Sequence, residues 1–488
     1  MKVLSQINWR SILKALGILL LFEGMFMLLC IPFSLYYGGA DTHSILFSAA
    51  ITLISGVFFS IPGKLKKMQV KIKDAYIIVT TSWIIISIYG TLPYLLSGEI
   101  PDFVNAFFES ISGFTTTGAS ILTDIESVSK GILFWRSMTH WIGGVGIVVL
   151  FTAIMPLLGS SSMQLFSVET SAVTIEKLHP QIKGTAIRLS MVYLLLTAME
   201  TILLMIGKMN LFDALCHSFG TIATGGFSTQ NASVANYSPY IQYVIIIFMI
   251  LAGINFTIHY YSLTGQFSKV KKSNELRFYL ALVVIASLVV TASLLLSNTQ
   301  TLPVEQAFRD ASFQVVSIIT CTGFVTADYT LWPTISWFIL FLLMFSGGMA
   351  GSTSGGIKTY RHLLLLRLSR TELHRRLHPN AIMPVRYNNA IVSEAILTNV
   401  QAFIIIYMLT FLVGTLGMIL FGLDAKSAAG GVASCLGGIG PGLGSVGPVS
   451  NYALITIPGK YFLSLIMLLG RLELYTFLIL FTRTFWRK

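Results

Sequence analysis

Four short stretches, TTTG at 115–118, IATG at 222–225, TCTG at 320–323 and GGIG at 437–440, gather small and hydroxyl-bearing residues ahead of a glycine. The closing glycines, Gly118, Gly225, Gly323 and Gly440, recur roughly every 100 residues, the mark of an internal repeat whose units cannot satisfy themselves alone. The chemistry open to such residues belongs to the main chain. Glycine permits the dihedrals that aim successive carbonyls at one axis, and a ring of carbonyl oxygens can replace the hydration shell of a monovalent cation. In a bilayer, irregular backbone persists only where it lines a cavity or is buried in protein, because unpaired carbonyls are costly there. One TTTG alone is more often a packing or kinked segment. Four at matched positions reverse that preference.

Each stretch closes a half-length amphipathic segment, and these begin at Asp102, Leu211, Glu305 and Asp424. An acid near each start favours the helix dipole, and the segments are too short to cross a bilayer. Their carbonyl ends would converge at mid-membrane, where partial negative charge favours a dehydrating cation. Apolar runs long enough to span occur at 11–35, 43–62, 75–97, 131–157, 186–207, 239–261, 277–297, 333–357, 395–421 and 459–482. With 54% hydrophobic and 11% charged residues, the chain falls outside soluble globular classes. The expected fold is an all-α polytopic membrane protein. Two extra transmembrane helices (1–73) precede four pseudo-symmetric span, short helix, span repeats (74–160, 161–272, 273–386, 387–488) around a central ion pore.

The net charge of +12 is not a nucleic-acid signature, because the basic residues fall on alternate connections. Lysines 64, 66, 67, 71 and 73, then Lys177, Lys183 and Arg188, Lys269 to Arg277, Arg361 to Arg386 and Arg483 to Lys488 follow the positive-inside pattern, with both termini cytoplasmic. Acids such as Asp41, Glu99, Asp102, Glu109, Asp124, Glu126, Asp213, Glu305, Asp310, Asp328 and Asp424 take the opposite side. They either concentrate cations at an outer mouth or simply follow from the exclusion of basic residues. The cysteines, Cys30, Cys216, Cys321 and Cys435, lack metal-ligand spacing. No Walker A or post-strand GxGxxG motif offers a nucleotide site. His140, His217 and His259 have neither a nucleophile constellation nor zinc spacing, which argues against an enzyme.

Glycine also recurs at matching depth in the closing spans, as WIGG from Trp141, LAGIN from Leu251, FSGG from Phe345 and LLGR from Leu468, where it allows close helix approach. The eighth span is interrupted by GGMAGSTSGGIK at 347–358, too rich in glycine for a continuous helix. Lys358 ends it, either as a lysine snorkelling to the cytoplasmic boundary or as a cation that obstructs the path. Arg471 lies deep in the last span and must face water or a partner, and Glu473, two residues on, points to a different helical face. Glu23 and Glu200 are further intramembrane acids, the first expected to make a structural hydrogen bond.

With these features the chain resembles TrkH-type subunits of the Trk/Ktr/HKT potassium transporter superfamily over essentially its whole length. The specific marks are the four glycine turns and GGMAGSTSGGIKTYR from Gly347. The resemblance implies potassium as the transported ion, coordinated by carbonyls of Thr116, Thr117, Ala223, Thr224, Cys321, Thr322, Gly438 and Ile439, with the four closing glycines setting the turns. Gly438 departs from the asparagine expected at that point. The resemblance also implies a gate loop bearing Gly347, Gly348, Gly351, Gly355, Gly356 and Lys358, with Arg471 beside it as an electrostatic barrier. It further implies a homodimer in the bacterial inner membrane working with a cytoplasmic TrkA-like nucleotide-binding ring, for which the basic run from Arg361 to His378 offers a contact. The competing reading is a secondary cation transporter with broken-helix sites near the membrane midplane.

Overall fold

The computed structural model describes residues 7–61, 71–158, 182–297, 303–381, 383–388 and 390–487, with side chains of Ile72, 147–158 and 182–186 excepted. The lysines at 64, 66, 67 and 177, the side chain of Lys183 and the repeat boundary at 160–161 lie outside it. The described chain is overwhelmingly helical, and its strands form a two-residue-per-strand hairpin, Arg386–Tyr387 with Ala390–Ile391.

Two peripheral helices, Trp9–Leu28 and Thr42–Ser60, cross through glycines. A Cβ on Gly17 would lie 2.7 Å from the Gly56 carbonyl oxygen, so only small residues permit this approach. Their connection docks on the first repeat through buried Asp41, whose carboxylate accepts from Ser34 Oγ and, at 2.9 Å, from the Ile132 amide.

Four repeats follow. Their opening helices are Ile72–Tyr89, Ile182–Ile206, Asn274–Leu296 and Glu394–Leu420. Their short helices are Phe103–Phe114, Leu211–Ile222, Val304–Ile319 and Ala425–Gly437. Side chains cap three of the short helices: Asp102 accepts from the Asn105 amide, Asn210 from Asp213 and Asp424 from Ser427. The acids expected at the helix starts are therefore caps or first-turn residues.

The closing segments correct the expectation of ten spans with an interruption in the eighth alone. Among the described residues six helices are long and apolar enough to cross, or up to eight if two bent pairs count. The second closing segment turns by 102° between Pro239–Ala252 and Phe256–Leu263, and the fourth by 110° between Ile457–Arg471 and Tyr475–Phe481. The third stops at Leu343 and resumes as Thr359–Leu377, while the first carries non-helical Gly146 inside Lys130–Leu158. All four break at the depth where the sequence repeats its glycines. Close packing is the other half of the reason: a Cβ on Gly143 would sit 1.9 Å from the Phe114 carbonyl oxygen, and one on Gly470 2.1 Å from that of Leu436.

Candidate functional site

The short helices deliver four turns with one backbone course. Thr116, Thr224, Cys321 and Gly438 take left-handed φ of 55°, 55°, 57° and 70°, and Gly118, Gly226, Gly323 and Gly440 follow two residues later at 81°, 79°, 82° and 102°. Between them, the amides of Thr117, Gly225, Thr322 and Ile439 donate back to the helix carbonyls of Ser112, Gly220, Ser317 and Ser434 at 2.8–2.9 Å. In a planar trans peptide the preceding carbonyl points the opposite way, so those of Thr116, Thr224, Cys321 and Gly438 face away from their own helices.

This geometry corrects the sequence alignment of the second turn by one residue. Ala223 is the helical cap there, with φ −75° and ψ −13°, and the positions matching Thr116 to Gly118 are Thr224, Gly225 and Gly226. Gly225 and Gly226 are adjacent, and the left-handed φ of Gly226 together with the hydrogen bond from the Gly225 amide to Gly220 O tells which one turns the chain.

The turns close on one another. A Cβ on Gly118 would lie 2.1 Å from the Gly225 oxygen, one on Gly226 2.0 Å from Thr322 O, one on Gly323 1.8 Å from Ile439 O, and one on Gly440 2.8 Å from Thr117 O. Each glycine thus abuts the carbonyl of the next turn, and the fourth contact returns to the first. A second circle of bonds lies behind. It consists of Arg136 Nη1 to Ser228 O (2.9 Å), Val234 N to Val325 O (3.0 Å), Tyr329 Oη to Gly442 O (2.7 Å) and Tyr452 N to Ser120 O (2.8 Å). Buried threonine hydroxyls of the turns bond locally, Thr115 with Thr117 and Thr320 with Thr322, both at 2.8 Å, and Thr224 with Ala223 O at 2.6 Å. Main-chain oxygens are the groups that all four turns have in common to offer a ligand.

Residues 344–358 pack against the helix ends beneath this ring. Thr353 Oγ1 donates to Ile222 O at 2.9 Å, the Met349 amide to Gly253 O at 2.8 Å, and a Cβ on Gly355 would meet Gly437 O at 2.2 Å. The Ala350 amide donates to buried Glu275 at 2.8 Å. Gly347 and Gly348 are folded onto the far end of the loop, through bonds to Ile357 O and from Thr359 N, and Gly351 O accepts from the Phe256 amide. Gly356 has φ 63°, beyond easy reach of other residues. Lys358 turns its Nζ back onto Ser354 O within the loop, which displaces the snorkelling reading.

Arg471 donates to Thr353 O at 3.2 Å and to Gly143 O, so it joins the loop to the first repeat, with its guanidinium 5.4 Å from the Trp83 ring centre. Glu473 does not pair with it. Instead it binds Arg361, which is buried over the Phe403 ring rather than part of an exposed basic run.

Other expectations change as well. Asp41, Glu109 and Asp310 are buried and do not line an outer mouth. Asp124 is exposed, and the Asn231 amide bonded to it holds its carboxyl below the usual carboxylate range. Glu23 finds no hydrogen-bond partner among the described residues and lines a small cavity with Trp83, Phe114 and Gly143. His140 and His217 bond to the Gly113 and Asp213 carbonyls and back the first two turns, and His259 bonds to Leu251 O. The sequence reading missed Gly226 and the buried pair Glu109–Arg136. The pair had a signal, a lone arginine within the apolar run of the fourth candidate span.

Residues 44–488 match the family model TrkH, described as a cation transport protein. The chain is 39% identical to "Trk system potassium uptake protein TrkH" of Salmonella typhimurium, covering 99% of this chain and 100% of the relative. It is 38% identical to the protein of that name from Escherichia coli K12, at the same coverage. It superposes on the crystal structure of the potassium transporter TrkH from Vibrio parahaemolyticus with a TM-score of 0.88 at 35% identity, over 99% of this chain and 100% of that one. Sequence, fold and the four-turn ring agree: this multi-pass membrane protein belongs to the TrkH family of cation transport proteins.

Proposed function

We propose that the chain carries out channel-like potassium uptake across the bacterial inner membrane. The ion sheds water and meets the main-chain oxygens of Thr116 and Thr117, Thr224 and Gly225, Cys321 and Thr322, and Gly438 and Ile439. The observation that carries this reading is the closed circle of glycine-to-carbonyl contacts from Gly118 around to Gly440. It brings four sets of peptide oxygens around one axis, as dehydrating a monovalent cation requires. The dipoles of the short helices add negative potential at the same place. The relatives' names, potassium uptake proteins, supply the ion.

The loop 344–358 acts as the gate, with Arg471 as the latch and the electrostatic barrier, since its guanidinium holds Thr353 O against the first repeat. The exposed ends of Arg370, Arg375 and Arg376 on Thr359–Leu377 supply the contact for a cytoplasmic TrkA-like ring, both termini lie on that side, and the protein works as a homodimer.

Complementation of a potassium-uptake-deficient bacterium at low potassium, with and without a TrkA-like partner, tests the activity. Growth is expected with the partner, and no growth with membrane-inserted protein would sink the proposal. Arg471→Ala should raise flux at equal abundance, and an unaltered flux removes the latch.

A further inference from the structure

Two helical turns before its left-handed residue, each short helix carries a different side chain: Glu109, His217, Gln314 and Gly431 in order. The first three reach the chain just beyond their own turn. Glu109 accepts from the Ile121 amide at 2.9 Å and from Ser120 Oγ, His217 Nε2 bonds Ser228 Oγ at 3.0 Å, and Gln314 donates to Thr326 Oγ1 at 3.4 Å. Gly431 has no side chain to do so. The support from this position of the short helices is therefore graded, from a carboxylate in the first to no side chain in the fourth.

Glu109 is also ion-paired. Arg136 Nε meets Glu109 Oε1 at 2.6 Å, with the two side chains 2% and 0% exposed. The same guanidinium donates to Ser228 O at 2.9 Å and lies 3.6 Å from the Phe227 ring centre, next to Gly226. One buried pair thus grips the chain leaving the first turn and the chain leaving the second.

Resting on the potassium-uptake reading, we propose that Glu109 and Arg136 are positioning residues for ion discrimination. They fix the spacing of the first two sets of carbonyls, so that these cannot close on a smaller cation such as sodium. A charge-assisted network is stiffer than neutral bonds, and positioning groups must be held to within about 0.5 Å to discriminate. Neither residue touches the ion.

The test compares potassium and sodium uptake by the full-length protein, with its cytoplasmic partner, at matched membrane abundance. Glu109→Gln keeps the size and one acceptor while removing the charge, and Arg136→Lys keeps the charge while losing the fork and the ring stack. Each should lower the potassium-to-sodium ratio by about tenfold, the scale of losing one charge-assisted hydrogen bond. Glu109→Asp should recover part of the ratio.

A pair that serves stability alone would lower the melting temperature and leave the ratio intact, and that result overturns the proposal. If Glu109→Gln fails to reach the membrane, Arg136→Lys and Glu109→Asp decide by the same ratio. If the parent itself takes up no potassium, the functional reading has failed, a separate result from an unchanged ratio in working variants.

Discussion

The first and fourth turns follow the same backbone course by opposite means. In the first, a threonine, Thr116, is held at φ 55°, a conformation that costs an L-residue roughly 1–2 kcal/mol. It is secured by a hydroxyl ladder above and the Glu109–Arg136 network behind. In the fourth, glycine takes the left-handed position. Gly438 has nothing within 4 Å of where a Cβ would stand, and two phenols hold the segment from outside, Tyr452 on Gly440 O at 2.8 Å and Tyr329 on Gly442 O at 2.7 Å. The contact that closes the ring there is also the loosest, 2.8 Å against 1.8–2.1 Å for the other three. Strain held by a surrounding network gives a rigid wall, and a relaxed glycine wall gives some room. The difference marks the first two quarters as the reference edge of the ring and the fourth as its adaptable side.

Substitutions at the ring glycines break this comparison most severely. Gly226→Ala drives a methyl into Thr322 O, and potassium uptake should fall by about 100-fold, the scale of a 1 Å misplacement at a working site. Gly440→Ala should be the mildest of the four, and equal damage at both positions would remove the distinction between rigid and adaptable quarters. A smaller effect is expected from Tyr452→Phe, which frees Gly440 O at a cost of about 1 kcal/mol, read as a lowered melting temperature with the fold retained. The smallest change sharpens the contrast. At Gly431 an added Cβ meets Tyr452 at 3.9 Å and, tightly, the Val446 side chain at 3.3 Å; with Val446 giving way by a few tenths of an ångström, Gly431→Ala should stiffen the fourth short helix and stabilise the protein by roughly 0.5–1 kcal/mol. A lowered melting temperature would contradict the slack assigned to that quarter.

Much of the architecture was legible from periodicity and composition, because apolar length and glycine punctuation are local signals. The four short helices with their acid-marked starts, the interruption at 347–358 and the isolation of Arg471 from Glu473 could all be read in this way. The register of the second turn could not. In IATGG either glycine fits the pattern, and the choice rests on the left-handed backbone at Gly226 and the hydrogen bond from the Gly225 amide to Gly220 O. Nor could the bends at Gly253–Asn255 and Leu472–Leu474, since the runs on either side stay apolar and hydropathy is blind to direction. The Glu109–Arg136 pair depends on tertiary contact across two helices, although the cost of a lone charge in an apolar run, which singles out Arg471, applies equally to Arg136. Arg361 shows the converse, because a basic run in sequence includes a residue that folding turns inward to Glu473.

The most direct measurement is anomalous diffraction, or the equivalent difference density, from the protein equilibrated with rubidium or thallium in place of potassium. The account predicts ions on the axis, each surrounded by peptide oxygens from all four turns and including Gly225 rather than Ala223. Heavy-ion density that avoids the ring, or is bound by side chains elsewhere in the membrane, would contradict it.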